Sequence, residues 1–200
     1  MTTIHPCPEQ LQDRIRNCQA CSLNQAPYDP GLPTIGIGGS RPRVMILGRD
    51  PGEQEAKIGR PFVGAAGKRV LQPILQELNI SLDDFYLTNI VKHRPPNNTE
   101  PSDEIKIKCS EFLIEEIQWA KPQIIISLGK AAGHALNLIN NTGYCVQRGQ
   151  VFPFKGIPVH CTWHPAYVVR GNQQAYYELK HDIQKAFAYA NALRGTNVNN

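Results

Sequence analysis

The sequence predicts an α/β fold: three layers, αβα, around a central four-stranded parallel sheet. Two patterns carry this. Four short apolar runs, at residues 44–47, 85–91, 124–128 and 157–161, are each followed by a segment with apolar residues at helical spacing. Strands alternating with helices in this way pair in parallel and are covered on both faces. The third run, IIISL, has the nearly unbroken apolar character of a strand buried on both sides.

The elements follow in order. Residues 9–17 form a short helix with Leu11 and Ile15 one turn apart, leading into Cys18-Gln19-Ala20-Cys21. Residues 26–42, rich in Pro and Gly, read as an irregular connection. The first strand ends at Gly48, and after a loop Val70, Leu71, Ile74, Leu75 and Leu78 mark a helix. The second strand delivers Thr88-Asn89 and then Lys92-His93-Arg94-Pro95-Pro96, where the prolines stop regular structure. Ser102 with Asp103 and Glu104 is a helix start, and Ile105, Cys109, Phe112, Leu113 and Ile117 share its inner face. A helix returns over 129–138, the last run precedes Trp163-His164-Pro165, and a final helix covers about 172–193. Residues 1–200 are expected to form one domain, with 1–42 packed on it as an N-terminal helix and metal-binding loop and 195–200 as a flexible tail.

The polar candidates then fall at the carboxyl ends of strands, where open α/β sheets bind ligands. Chief among them is the loop from Gly48 to Gly67, GRDPGEQEAKIGRPFVGAAG, which carries Asp50, Gly52, Glu55 and an aromatic, Phe62. A Walker A loop is excluded, because Gly67-Lys68 is followed by Arg69 and Phe62 stands where the first glycine belongs. A dinucleotide fingerprint is excluded too, because Gly36, Gly38 and Gly39 precede the strand instead of following it. The loop resembles the first motif of the uracil-DNA glycosylase superfamily, most closely the thermophile-type iron-sulfur family (family 4), which reads roughly GEAPGxxEDxxGxPFVGxAG. WHPAYVVR at 163–170 is similar to that family's HPSxxxR, and TN at 88–89 also matches.

The resemblance implies a DNA repair enzyme that flips uracil from DNA and hydrolyses its N-glycosidic bond, leaving an abasic site. It implies Asp50 and His164 as catalytic residues. Gly48, Gly52, Glu55, Phe62, Asn89 and Arg170 are then the substrate-binding residues. Phe62 would stack on the flipped base and Asn89 would read its edge. Two departures stand out. Arg49-Asp50 replaces the family's Glu-Ala, so that Asp50 takes the place of the aspartate in the GQDPY motif of the wider superfamily, and Ala56 replaces an acid. An arginine beside the sugar would oppose a developing cation unless it points toward a phosphate. The alternatives are an iron-sulfur DNA-binding protein that keeps the base pocket without turnover, and a glycosylase for hypoxanthine or xanthine. Without the resemblance, Asp50 and Asn89 are turn formers and Phe62 is core.

Cys18 and Cys21 can place two thiolates on one metal; a redox dithiol would follow a strand, and none precedes them. In the family resembled, a third cluster cysteine lies in VKCRPP, sixteen positions before the fourth; here VKHRPP puts His93 sixteen positions before Cys109. The resemblance thus implies a structural [4Fe-4S] cluster on Cys18, Cys21, His93 and Cys109; the spacing alone equally permits zinc.

The composition agrees with these readings. At 41% hydrophobic and 19% charged, the chain is globular in type. No apolar run approaches the roughly twenty residues that span a bilayer, and the start lacks a signal-peptide pattern, so a cytoplasmic protein without membrane contact is expected; a monomer is expected as well. Six cysteines in that setting point to metal or buried thiols instead of disulfides. A net charge of +4 suits DNA as partner. Lys92, Arg94, Arg148 and Arg170 are candidate phosphate contacts.

Overall fold

The computed structural model describes residues 5–25, 27–39 and 41–196. Its elements are β1 (His5–Pro6), α1 (Glu9–Arg16), β2 (Ile37–Gly38), β3 (Val44–Gly48), α2 (Glu53–Ile58), α3 (Gln72–Glu77, entered through a π-helical turn at Gly67–Leu71), β4 (Phe85–Asn89), α4 (Asp103–Ala120), β5 (Ile124–Leu128), α5 (Lys130–Asn140), β6 (Val151–Phe154), β7 (Ile157–Thr162), α6 (Pro165–Val169) and α7 (Gln173–Thr196). The four predicted strands are β3, β4, β5 and β7, and they pair in parallel in the order β4-β3-β5-β7.

The sheet itself departs from the prediction. It has seven strands and is mixed, because β2 and β1 extend it antiparallel beyond β4, and β6 pairs antiparallel with β7. The two-residue strands β1 and β2 hold Pro and Gly and have no period to read. In β6 a proline at 153 masks the alternation; the strand is edge-paired, which tolerates it. Lys155 and Gly156, both with positive φ, make the two-residue turn of the β6–β7 hairpin. The connection over 26–42, predicted to be irregular, thus contributes β2, with residues 26 and 40 outside the described set. The predicted tail is helical through Thr196, and the rest of it lies outside the described residues.

Strand alternation divides the core. Met45, Leu47, Tyr86 and Ile125 point to one face, under Leu11 and Ile15 of α1, Phe112 and Leu113 of α4 and Leu136 of α5. Val44, Ile46, Leu87 and Ile126 point to the other, under Ile74 and Leu75 of α3 and Leu179, Ile183 and Phe187 of α7. These are the two outer helical layers, and each aliphatic side chain buried in this way contributes roughly 1.5–3 kcal/mol. Ser102 caps α4 by accepting the Ile105 amide at 3.4 Å, and Asn172 accepts the Ala175 amide at 3.0 Å ahead of α7.

One polar cluster lies in the first core, directly behind the end of β4. The Lys92 ammonium donates to Glu116 Oε2 (2.6 Å), Thr88 Oγ1 (2.9 Å) and the Asn89 carbonyl (2.7 Å), placing all three of its protons. Tyr86 and Thr88 hydroxyls donate to the same carboxylate. Both ions are fully buried, which rules out Lys92 as a phosphate contact. Replacing Glu116 by Leu is expected to strand the ammonium and lower stability by about 3–5 kcal/mol in urea unfolding, with partial recovery in the Lys92→Met/Glu116→Leu double variant.

Candidate functional site

A cavity of about 480 Å³ opens at the carboxyl ends of β3, β4, β5 and β7, a volume within the usual range for a ligand site. It lies where the chain, having built β4 on one side of β3, crosses to build β5 on the other, the switch point of the sheet. Asp50 follows β3, Asn89 ends β4, Leu128 and Gly129 close β5, and His164 follows β7; all line the cavity, with Phe62 between them.

The close approach of these groups dictates several residue choices. Gly48 pairs with Asn89 in the ladder, and a Cβ there would fall 2.3 Å from Asn89 Oδ1 and 2.8 Å from the Phe62 ring. Only glycine leaves room for both. Phe62 is buried with φ 54, a left-handed conformation that costs a bulky residue on the order of 1–3 kcal/mol. The chain turns tightly beneath it, because a Cβ on Gly67 would lie 1.7 Å from the Phe62 carbonyl oxygen. Glu55, reaching from α2, accepts the Gly64 amide at 2.8 Å and so pins the loop that presents the ring. The Phe62 and His164 rings are 6.0 Å apart at a 34° tilt.

The electrostatics are divided. Burial pushes the Asp50 carboxyl above its ordinary range, and the Arg49 guanidinium, which donates through Nε to Asp50 Oδ1, pulls it part of the way back. His164 is held near 4 by burial, with Arg49 and Arg170 adding to the fall, so its imidazole is neutral at physiological pH. Its Nδ1 accepts the Ala166 amide at 3.1 Å. The ring proton therefore resides on Nε2. Asn89 Oδ1 is buried and, among the described residues, has no hydrogen-bond partner. The pocket thus presents the Asp50 and Glu55 carboxyl groups, a neutral imidazole N–H donor, the Asn89 amide oxygen and an aromatic face.

Gly52 and Arg170 also line the cavity. Arg94 is engaged by Asn98 at 2.9 Å, and Arg148 lies on Asp182 at 2.8 Å; of the predicted phosphate contacts, only Arg170 faces the pocket. Sequence reasoning missed Asn98 and the wall made by Gly129, Lys130 and Ala131. The signal for the latter was available, because Gly129-Lys130 follows a strand as Arg49-Asp50 does. Gly129 has φ +85, and a Cβ on it would meet His164 Cβ at 2.9 Å, so β5 and β7 also converge through a glycine.

The predicted metal ligands gather only loosely. Cys18 and Cys21 pack against the apolar cluster that contains Cys109. Burial pushes the Cys109 thiol up to about 11, with Cys21 and Cys18 contributing. His93 is 3% exposed, its Nε2 has no hydrogen-bond partner among the described residues, and burial lowers its pKa to about 4. Such donors, thiols and an orphaned neutral imidazole, fit a sulfur-rich metal centre in kind. Among the described residues, however, no group of three or more His, Cys, Asp or Glu side chains is drawn together closely enough to hold a metal ion.

A mixed sheet with a parallel centre and a cavity at its switch point defines an α/β protein of the ligand-binding open-sheet class. The chain belongs to the uracil DNA glycosylase superfamily, whose family model matches residues 35–190. It is 33% identical over 194 residues to the type-4 uracil-DNA glycosylase of Thermotoga maritima, covering 94% of this chain and 97% of the relative. It is 34% identical to the type-4 enzyme of Archaeoglobus fulgidus over 173 residues, 80% of this chain and 84% of the relative. With that of Pyrobaculum aerophilum it shares 38% identity over 175 residues, 81% and 84% of the two chains.

For the histidine at the heart of the site, 15N NMR is expected to show the neutral Nε2–H tautomer at neutral pH, with protonation only as the pH falls toward about 4 and no titration near the ordinary value of 6.5. An imidazolium at pH 6 would refute the assignment.

Proposed function

We propose that this protein is a monofunctional uracil-DNA glycosylase that hydrolyses the N-glycosidic bond of a flipped uracil and leaves an abasic site. The observation that carries the reading is the buried, unpartnered Oδ1 of Asn89 beside the Phe62 ring. Uracil offers N3–H to that oxygen and O4 to the amide N–H. Cytosine offers the reverse pattern and leaves buried groups unpaired, at about 1–3 kcal/mol each.

The remaining groups match the charge that develops as the bond breaks. The sugar becomes cationic and the departing base anionic. Asp50 faces the sugar side as a carboxylate, oriented to hold water and stabilise the cation. His164 donates from Nε2 to O2 of the base. Being neutral, it supplies a hydrogen bond without pre-charging the pocket. Phe62 stacks on the base, Glu55 and Gly52 shape the loop around it, and Arg170 meets the DNA backbone. Gly48 leaves the space that base and amide share.

Residues 1–200 act in this reading as one glycosylase domain. Cys18, Cys21, His93 and Cys109 would hold a [4Fe-4S] cluster, or zinc in its place, which when bound ties α1 and the following loop to α4. Its contribution is mechanical, and no step of base release passes through it.

Incubation with a uracil-containing oligonucleotide is expected to yield alkali-sensitive strands. Asp50→Asn and His164→Ala should each lower the single-turnover rate by on the order of a hundred-fold. Tight binding without base release would favour a non-catalytic DNA-binding protein, and release confined to hypoxanthine or xanthine would reassign the substrate. Metal analysis of the same sample should find iron and sulfide, with His93→Ala losing iron and Cys145→Ala, at an exposed thiol, retaining it.

A further inference from the structure

Arg49 occupies a position that the sequence leaves paradoxical, a cation next to a site where positive charge must develop. The structure turns its guanidinium onto two acids. Nε donates to the Asp50 carboxylate, and Nη1 lies 3.2 Å from Glu100 Oε2. Glu100 in turn receives Lys106 Nζ at 2.8 Å on its other oxygen, and Lys106 is shared with Asp103 at 3.0 Å. The chain of contacts therefore runs from the cavity wall to the loop before α4 and on into that helix.

Burial follows the same gradient, with the Asp50 side chain 10% exposed, Arg49 21% and Glu100 59%. The backbone behind Arg49 is fixed, because its carbonyl accepts the Val91 amide at 2.9 Å and Pro51 follows Asp50. We propose that Arg49 is a positioning residue, which orients the Asp50 carboxylate into the cavity and is itself held in place by Glu100. The proposal rests on the glycosylase reading of the pocket.

Two physical arguments support it. A nearly buried carboxylate without a partner is costly and protonates instead; among the described residues the cation bonded to Asp50 is Arg49. Second, Arg49, Asp50 and Glu100 together remain net negative, so the arginine's charge is spent on the acids before it can oppose the sugar cation. The other charged or titratable groups facing Asp50 are Lys106 from α4 and His164 after β7, with Glu55, Lys130 and Arg170 on the cavity wall.

The test is the pH dependence of single-turnover uracil release by wild type, Arg49→Ala, Arg49→Lys, Glu100→Gln, Asp50→Asn and the Arg49→Ala/Asp50→Asn double variant. The rate requires ionised Asp50, which exists above its pKa. Removing the neighbouring cation raises that pKa, so the acid limb of Arg49→Ala moves to higher pH. At neutral pH the rate falls by on the order of ten-fold or more. Arg49→Lys recovers part of both effects, Glu100→Gln shows a smaller displacement of the same sign, and Arg49→Ala adds little once Asp50 is Asn. An unmoved acid limb, with the loss confined to DNA affinity and its salt dependence, would make Arg49 a phosphate contact and overturn the proposal. The Asp50 carboxyl titration, followed by 13C NMR in the free protein, reads the same displacement without turnover. If it moves in Arg49→Ala while wild type releases no uracil, only the glycosylase reading fails; if it stays put, this proposal fails whatever the turnover.

Discussion

The parallel pairing of Gly48 with Asn89 is the constraint from which the site follows. It ends two neighbouring strands at the same height, so the loop after one and the amide on the other must share a small space. That is possible because one partner has no side chain. The Phe62 ring enters the vacated volume and lies over Gly48, against Asn89. The ring is carried there by a strained backbone that Glu55 and Gly67 stabilise from either side. Strain of this kind is maintained only where the surroundings over-determine it, and here hydrogen bonding and close packing act on the same few residues.

Behind that pair, the Lys92–Glu116 ion pair serves the pocket from the apolar side. It joins the carbonyl of Asn89 to α4, a helix whose outer end carries Lys106 and whose middle carries Cys109. The segment from 88 to 116 thus links the Asn89 amide, His93 and Cys109, the loop with Glu100 and the buried counter-ion. In front, the Arg49–Glu100 contact connects the same segment to the acid after β3. The site is held by one continuous stretch approaching it from below and from the rim.

The residues divide by how far their partners lie in sequence. Four buried strands, the helical stripes and the Ser102 cap depend on local periodicity and local hydrogen bonding, and all were legible. That Asp50, Phe62, Asn89 and His164 would meet at one cavity was legible too, since strand ends followed by polar or turn residues mark the ligand edge of an open sheet. The edge strands were not legible, because two-residue strands have no period and their pairing is decided by what lies opposite. The direction of Arg49 was equally hidden: its second acid is fifty-one positions away, at Glu100. Lys92 read as a surface cation for the same reason, its counter-ion being twenty-four positions on.

By itself, then, the chain determined the layer order, the parallel core and the identity of the polar groups at the strand ends, because these follow from repeats of two and 3.6 residues and from short motifs. Only the tertiary structure decided which charges are neutralised, which imidazole nitrogen holds its proton, and why certain positions admit nothing larger than glycine. Those outcomes depend on distances between segments remote in sequence and on the loss of water around them, and no local pattern encodes either.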